Sequence, residues 1–232
     1  MIDDRADWHT HSDVTDGADT LSTMVDAGRA MGLHTLGLSD HVRADTTWLP
    51  EYVATVRGLE RAGMSLRCGV EAKMLDSSGT LDAPPGLETL DYLLIADHQY
   101  PGPDGPVHPR VVLEQVASGA LQPETVISTV IEATAAAVAV SPVPAIVAHL
   151  FSLLPKCGVD ESLVHEDMLE GLIRAARTAE ARVEVNEKWR CPSRRVVDHL
   201  SRHGVEITAG SDAHRAADVG RWSYLREVTA PA

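Results

Sequence analysis

The 232-residue sequence is poor in aromatic residues, which make up only 4% of it, and it contains a single phenylalanine. Its hydrophobic fraction of 44% must therefore form a core of Leu, Val, Ile and Ala. The three cysteines stand far apart, which excludes a disulfide framework and a CxxC metal site. No uninterrupted apolar run reaches the ~18 residues of a membrane span, and the charged N-terminal stretch lacks the apolar segment of a secretory signal. We therefore expect a cytoplasmic protein that has no membrane contact.

Positive charge is also scarce. Lys and Arg total 20 against 34 Asp and Glu, which gives a formal net charge of −14. Such a surface repels phosphate backbones, and the sequence shows no basic or aromatic stripe, so we expect no nucleic-acid partner. Bound divalent cations would reverse the sign of the charge locally, and a small anionic substrate is therefore compatible with an acidic chain.

Short β-branched runs alternate with longer helical patterns along the whole chain. Pro near the first turn and Gly after the last turn delimit several of the helical patterns, which cover 20–32, 49–63, 123–140, 160–181 and 192–204. Strand followed by helix, seven times, predicts parallel strands joined by crossovers. We expect one α/β domain over residues 1–232, with a loop in the Pro- and Gly-rich stretch 99–109. The candidate strands cover 6–11, 35–41, 66–73, 91–98, 145–150, 182–188 and 206–212.

Histidines and carboxylates stand at the ends of six of these strands. His9 and His11 end the first strand, and Asp212 and His214 end the last, with the spacing that directs two side chains to one face of a strand. The carboxyl ends of barrel strands meet at one face, so these side chains should converge with those of the other strand ends, which are Asp40, His41, Glu71, His98 and His149. Imidazoles and carboxylates together suit Zn²⁺, Fe²⁺ or Mn²⁺. The other histidines are expected to be solvated: His34, His108, His165, His199 and His203.

These motifs resemble those of the PHP family, named for polymerase and histidinol phosphatase. DWHTH at 7–11 resembles the first motif of the family, SDH at 39–41 the second, and GSDAH at 210–214 the last, while VEAK at 70–73 supplies the glutamate. VEVNEKWR at 183–190 is similar to a segment of histidinol-phosphatase-like members. The resemblance covers almost the whole chain and implies a distorted (β/α)7 TIM-like barrel.

The resemblance also implies a centre of up to three divalent metal ions, which are Zn, Fe or Mn. Asp16 stands in the first loop, where some members of the family have a histidine, and this makes the third ion the most open to a harder cation. The implied ligands are His9, His11, Glu71 and Asp212 for the first ion, Glu71, His98 and His149 for the second, and His41, His214 and Asp16 for the third.

The activity that the resemblance implies is hydrolysis of a small phosphomonoester by a metal-activated hydroxide, as in a histidinol-phosphatase-like phosphatase. Glu71 and Asp212 are the catalytic carboxylates in this interpretation. Three cations follow the sixth and the last strand and are candidates for binding the phosphate, although each Arg is equally compatible with a surface salt bridge. They are Lys188, Arg190 and Arg215.

Four further polar residues lie near the predicted ligands. Asp7 and Asp40 are expected to orient histidines, with capping of core backbone as the alternative. Glu184 and Asn186 either point into the barrel or fill one of its layers.

Three other functions stay open at this stage. The first is a PHP phosphodiesterase or nuclease, which the negative charge disfavours. The second is a hydrolase of a C–N or lactone bond, since such enzymes share the barrel and the ligand chemistry. The third is a non-catalytic relic, which the complete ligand set disfavours. We expect a small phosphorylated metabolite as the partner, and the sequence makes no statement about oligomeric state.

Overall fold

The chain winds around a sheet of parallel strands. This computed structural model describes residues 2–60 and 63–230. Within them, seven of the nine strands defined below pair in the order β1-β2-β3-β4-β7-β8-β9, and all of these pairs are parallel. Trp8 N donates to Ala209 O at 3.0 Å, and Thr10 pairs with Ala213, so the first and last strands nearly close the sheet into a barrel. The strands are β1 (Ala6–Asp7), β2 (Thr35–Leu38), β3 (Ser65–Lys73), β4 (Tyr92–Ala96), β5 (Tyr100–Gly102), β6 (Gly105–Val107), β7 (Ala145–Val147), β8 (Arg182–Asn186) and β9 (Glu206–Gly210). The predicted (β/α)7 TIM-like barrel is confirmed.

Helices cover the outside of the barrel. Thr20 accepts from Thr23 N and caps the first helix, and prolines stand in the first turn of three others. They are α1 (Leu21–Ala30), α2 (Leu49–Gly58), α3 (Pro109–Ala117), α4 (Pro123–Val140), α5 (Glu170–Thr178), α6 (Arg194–Arg202) and α7 (Tyr224–Thr229). By length and composition α4 could cross a membrane, but eight of its side chains are buried in the protein, as in a core helix.

The structure differs from the sequence prediction in several segments. The first strand ends at Asp7, whereas the predicted strand reached His11, and α3 lies where no helix was predicted. The stretch 99–109 contains the antiparallel hairpin β5–β6 rather than only a loop, and Pro101 lies opposite Pro106 in this two-stranded ribbon, where missing N–H groups are tolerated. The helix predicted over 160–181 is shorter, because 3-10 turns at Glu161–Leu163 and Glu166–Leu169 precede α5. The helix predicted to reach Gly63 ends at Gly58, and residues 61 and 62 lie outside the described residues. His199 is 6% exposed, which corrects the expectation that it is solvated.

A tyrosine fills the barrel below its carboxyl end. The Tyr92 ring is buried, and its hydroxyl donates to Trp8 O at 2.8 Å. Gly37 and Gly69 face this ring so closely that a Cβ atom at either position would collide with it. Leu94 and Ala96 continue the same face of β4 toward the carboxyl end of the barrel. The lower barrel is therefore an apolar, close-packed floor beneath the polar strand ends.

We predict that Gly69→Ala lowers the free energy of unfolding by about 1–3 kcal/mol, the cost of forcing an extra methyl group into a packed core. Gly171→Ala in α5 is the matched control, because a Cβ atom there meets nothing within 4 Å and alanine favours a helix by about 1 kcal/mol. Urea denaturation of both variants measures the difference. Equal stability of the two variants would contradict the packing described for Tyr92.

Candidate active site

The carboxylate of Glu71 lies at the centre of the polar strand ends. Glu71 is on β3 and is 1% exposed. Its Oε1 atom lies 2.9 Å from His98 Nε2 and 2.8 Å from His149 Nε2. Its Oε2 atom faces ring nitrogens of three more histidines, at 3.2 Å for His9, 3.3 Å for His11 and 3.1 Å for His41. Histidines from four other segments of the chain thus meet at one carboxylate.

Two more carboxylates extend this cluster toward solvent. Asp16 Oδ2 lies 3.5 Å from His41 Nε2 and 3.3 Å from His214 Nε2. Asp212 Oδ1 lies 3.5 Å from His11 Nε2 and 3.3 Å from His214 Nδ1. All nine predicted ligands therefore come together at one end of the barrel, although their role as ligands stays a prediction.

Three overlapping groups of donor atoms have the compactness that a metal ion requires, with all atoms of a group within 4.8 Å of one another. Glu71 belongs to two of the groups, and so do His11 and His41, so one change affects more than one group. His149 and Asp212 stand beside the groups rather than within them. The groups are His11, Asp16, His41 and His214; His9, His11 and Glu71; and His41, Glu71 and His98.

Two buried carboxylates orient the deepest histidines. His149 Nδ1 donates to Asp97 Oδ1 at 3.1 Å, and His9 Nδ1 donates to Glu184 Oε1 at 2.9 Å. Each contact fixes the ring and leaves Nε2 directed at the centre of the cluster. Glu184 thus points into the site, which decides between the two interpretations of this residue. Sequence analysis missed Asp97, and its only signal was a position at a strand end directly before His98.

Asp7 and Asp40 do not orient histidine rings as predicted. Asp7 accepts from the backbone N–H groups of Ser211 and Gly220, both at 2.9 Å, and holds the last strand end against the first. Asp40 accepts from Ser12 N at 2.9 Å and from Thr15 Oγ1 at 2.8 Å. It therefore orders the loop that carries Asp16. Both carboxylates position backbone, because the neighbouring N–H groups lie closer to them than any ring nitrogen.

The charges of the site favour a bound cation. Burial alone would raise the pKa of Glu71, but His98 and His9 outweigh it and hold that pKa well below its ordinary value. Burial acts to lower the pKa of His9, yet Glu184 and Glu71 raise it well above the usual range. Burial lowers the pKa of His11 to about 4, so this imidazole is neutral near pH 7. Ionised carboxylates in a buried site need positive charge beside them, from a proton or from a metal ion.

The donor atoms fit divalent metal ions. His9 Nε2 and His11 Nε2 lie 2.9 Å apart, beside the same oxygen of Glu71. His11 Nδ1 is buried and has no hydrogen-bond partner. A buried polar atom without a partner calls for a physical reason, and a bound ion is one of the few available. Imidazoles and carboxylates in this proportion are the ligand set of Zn²⁺, Fe²⁺ and Mn²⁺.

A cavity of about 660 Å³ opens over the cluster, which is the size of a small-molecule site. Lys188 lies on its wall, with Nζ 3.2 Å from Asp212 Oδ1 and 3.2 Å from His214 Nδ1. Sequence analysis also missed two further cations on this wall and two indole rings, for which isolated loop residues give no signal. They are Arg43, Trp48 and Trp189, together with Lys73, which is the last residue of β3 and not a loop residue.

The two predicted phosphate-binding arginines are not among the residues that line this cavity. Arg190 pairs with Glu227, and its guanidinium stacks on Tyr224 at 4.8 Å from the ring centroid. Arg215 is exposed at the start of a 3-10 turn. The salt-bridge interpretation thus describes Arg190, and the structure brings only Lys188 of the three predicted cations into the site.

Comparison with known protein families agrees with this geometry. The sequence model of the PHP domain matches residues 7–188, and that of a PHP-associated segment matches residues 193–223. The chain belongs to the PHP family. No curated protein matches the sequence of this PHP chain significantly.

Two solved structures share the fold of this PHP protein. One is the protein assigned as histidinol phosphatase HisK from Listeria monocytogenes, with 16% identity and a TM-score of 0.70 over 93% of this chain and 97% of that one. The other is histidinol phosphate phosphatase HisK from Lactococcus lactis, solved with zinc, L-histidinol and phosphate, with 16% identity and a TM-score of 0.66 over 95% and 88%. At this identity the similarity shows a common fold.

We predict that Glu71→Gln lowers the metal content of the reconstituted protein by more than one equivalent, because Glu71 is shared by two donor groups. Activity should fall on the order of 10–100-fold or more, the range seen even for residues that support a metal site indirectly. Metal analysis of the desalted protein measures the content.

Asp16→Ala is the informative comparison, because Asp16 belongs to one group and is 53% exposed. This change should remove a single equivalent of metal. Asp45→Asn is the control, since it removes a negative charge from the cavity wall outside the three groups. Wild-type metal content in Glu71→Gln, or complete loss in Asp16→Ala, would contradict the assignment.

Proposed function

We propose that this protein hydrolyses a small phosphomonoester with up to three divalent ions, of Zn, Fe or Mn, held by the nine predicted ligands. The observation that carries the proposal is the set of three overlapping donor groups beneath an open cavity with a lysine on its wall. Bound divalent ions would supply an activated water near neutral pH and polarise phosphoryl oxygens.

The protein's own residues support this chemistry by fixing the donors before substrate arrives. Asp97 and Glu184 hold the rings of His149 and His9 through Nδ1. Glu184 also accepts from the backbone N–H of His149 at 2.7 Å, so one carboxylate holds the ring of His9 and the backbone that carries His149. Groups that are already in position need no rearrangement during the reaction. Such preorganisation is usually the largest single contribution to catalysis. We therefore assign Glu71 and Asp212 as the catalytic carboxylates and Asp97 and Glu184 as positioning residues.

Lys188 is the phosphate-binding residue in this proposal. Its ammonium lies between Asp212 and His214 on the cavity wall and is 43% exposed, so it can contact both the cluster and a ligand. Arg43 on the same wall adds a second cation. Lys73 contributes less, because its side chain is 19% exposed against 43% for Lys188 and is therefore less accessible to a ligand. Arg190 and Arg215 keep only a long-range electrostatic role.

A small phosphorylated metabolite is favoured over the alternatives. The cavity volume suits a metabolite, and the Lactococcus relative was solved with L-histidinol and phosphate. The net charge of −14 disfavours a nucleic acid. The cations on the cavity wall favour a substrate with an anionic group, which a C–N or lactone substrate need not carry.

The substrate class can be tested directly with a panel of model compounds. The reconstituted protein should hydrolyse small phosphomonoesters such as histidinol phosphate, with little activity on single-stranded DNA, a phosphodiester, an amide or a lactone. Glu71→Gln protein prepared in parallel measures any contaminating phosphatase. Rapid cleavage of DNA together with inert phosphomonoesters would establish the nuclease alternative instead.

We further predict that Lys188→Ala lowers kcat/KM for a phosphomonoester roughly 30-fold, or about 2 kcal/mol. This is less than the 2.7–4 kcal/mol typical of a buried charge-stabilising donor, because solvent screens a half-exposed ammonium. Arg190→Ala should have little effect, since its guanidinium pairs with Glu227. Metal content is measured alongside. An unchanged metal content in Lys188→Ala shows that the loss of kcat/KM arises from phosphate binding and not from loss of metal. A larger effect of Arg190→Ala would reverse these two assignments.

A further inference from the structure

A second cavity adjoins the cavity over Glu71. It measures about 450 Å³, which is within the range of small-molecule sites. Three residues line both cavities, and these are Lys188, Asp212 and His214. Because Lys188 is the proposed phosphate-binding residue, a phosphate beside its ammonium lies at the junction of the two cavities. The second cavity is therefore a place for the part of a substrate that extends beyond the phosphate.

Two side chains of opposite charge line the second cavity without forming an ion pair. They are Asp218 and Arg221, which are both exposed. Within residues 2–60 and 63–230 neither of them pairs with the other or with any other charged side chain. Arg221 Nε donates to the backbone oxygen of Ala217, which leaves the two terminal nitrogens of the guanidinium for a ligand. A ligand that carries both an anionic and a cationic group would find a partner for each.

The other acidic side chains of this cavity are already occupied. Glu187 accepts from three backbone N–H groups at the start of α7, at 2.8–3.1 Å. Asp212 contacts Lys188 and belongs to the predicted ligand set. The Trp222 ring is 7% exposed and forms a fixed wall, because its Nε1 donates to a backbone carbonyl at 2.7 Å. Asp218 is therefore the carboxylate of the second cavity that is open to a cationic group.

We propose that the second cavity binds the amino acid part of a phosphorylated hydroxy amino acid, with Arg221 on its carboxylate and Asp218 on its ammonium group. This inference rests on the proposed phosphatase function and names the substrate class of that site. A guanidinium suits a carboxylate, because its parallel N–H groups match the two oxygens. Hydrolysis breaks the bond between phosphorus and the side-chain oxygen, which gains a proton, and releases inorganic phosphate and the free hydroxy amino acid.

The test compares kcat/KM of the metal-reconstituted protein for four small phosphomonoesters. Phosphoserine carries both charged groups, phosphoethanolamine only the ammonium, 3-phosphoglycerate only the carboxylate, and glycerol phosphate neither. We expect phosphoserine to be preferred about fivefold over each compound with one group, which is the scale of one solvent-screened charge pair. Glycerol phosphate should be the poorest substrate of the four.

Two single variants assign the two charged groups. Arg221→Gln should remove the preference for phosphoserine over phosphoethanolamine, and Asp218→Asn should remove the preference for phosphoserine over 3-phosphoglycerate. Both side chains are exposed, so the variants should fold. Binding without turnover is measured as the rise in unfolding temperature that phosphoserine gives in Glu71→Gln protein, and adding Arg221→Gln should remove most of this rise.

Arg226→Gln is the matched control, because Arg226 is an exposed arginine on α7 that lines neither cavity. It should keep both preferences, and an equal effect of Arg221→Gln and Arg226→Gln would overturn the proposal. Hydrolysis of all four compounds without preference, or a higher kcat/KM for histidinol phosphate, which carries no carboxylate, overturns the substrate class and leaves the phosphatase function intact. Failure to hydrolyse any of these five phosphomonoesters refutes the proposed function and this inference together.

Discussion

A buried carboxylate that has to stay charged is the constraint on which the rest of this barrel depends. Glu71 is 1% exposed, and imidazole nitrogens face both of its oxygens. Such a charge costs several kcal/mol to remove from water unless partners surround it. The strands that carry the partners must therefore end at the same level. The contact of Trp8 with Ala209 and the close packing of Tyr92 keep these ends together from below.

The same constraint explains the irregular backbone around the site. His149 and Asp212 have φ angles of 30° and 54°, a region that side-chain-bearing residues rarely adopt. Each such backbone conformation costs on the order of 1–3 kcal/mol of folding free energy, and it persists only where the surrounding contacts fix it. For His149 these surroundings are Glu184, which holds its N–H, and Asp97, which holds its ring. The strand thus ends abruptly so that the imidazole can turn toward Glu71.

Sequence could predict those features that depend on strand ends. Residues such as His9 and His214 follow apolar strands at a fixed period, and parallel topology then brings them together without any knowledge of the loops. The sequence does not give the direction of a side chain beyond a strand end. Arg190 is therefore predicted at the phosphate, although its backbone turns it toward Glu227. The hairpin β5–β6 was missed because Pro and Gly are also what loops contain. Asp97 was missed because only the folded chain shows which ring it meets.

The acidic surface and the cations of the cavity act together on a charged ligand. The chain carries 34 acidic residues. Of the six that are buried among the described residues, four contact histidines, namely Glu71, Asp97, Glu184 and Asp212. Lys188 and Arg43 add positive charge at the cavity wall. A compact dianion inside the cavity meets these cations while little of it faces the acidic surface. A polyanion must cross that surface at every phosphate outside the cavity, and each crossing weakens binding. The distribution of charge would therefore be sufficient for the proposed preference for a small substrate, without a steric barrier.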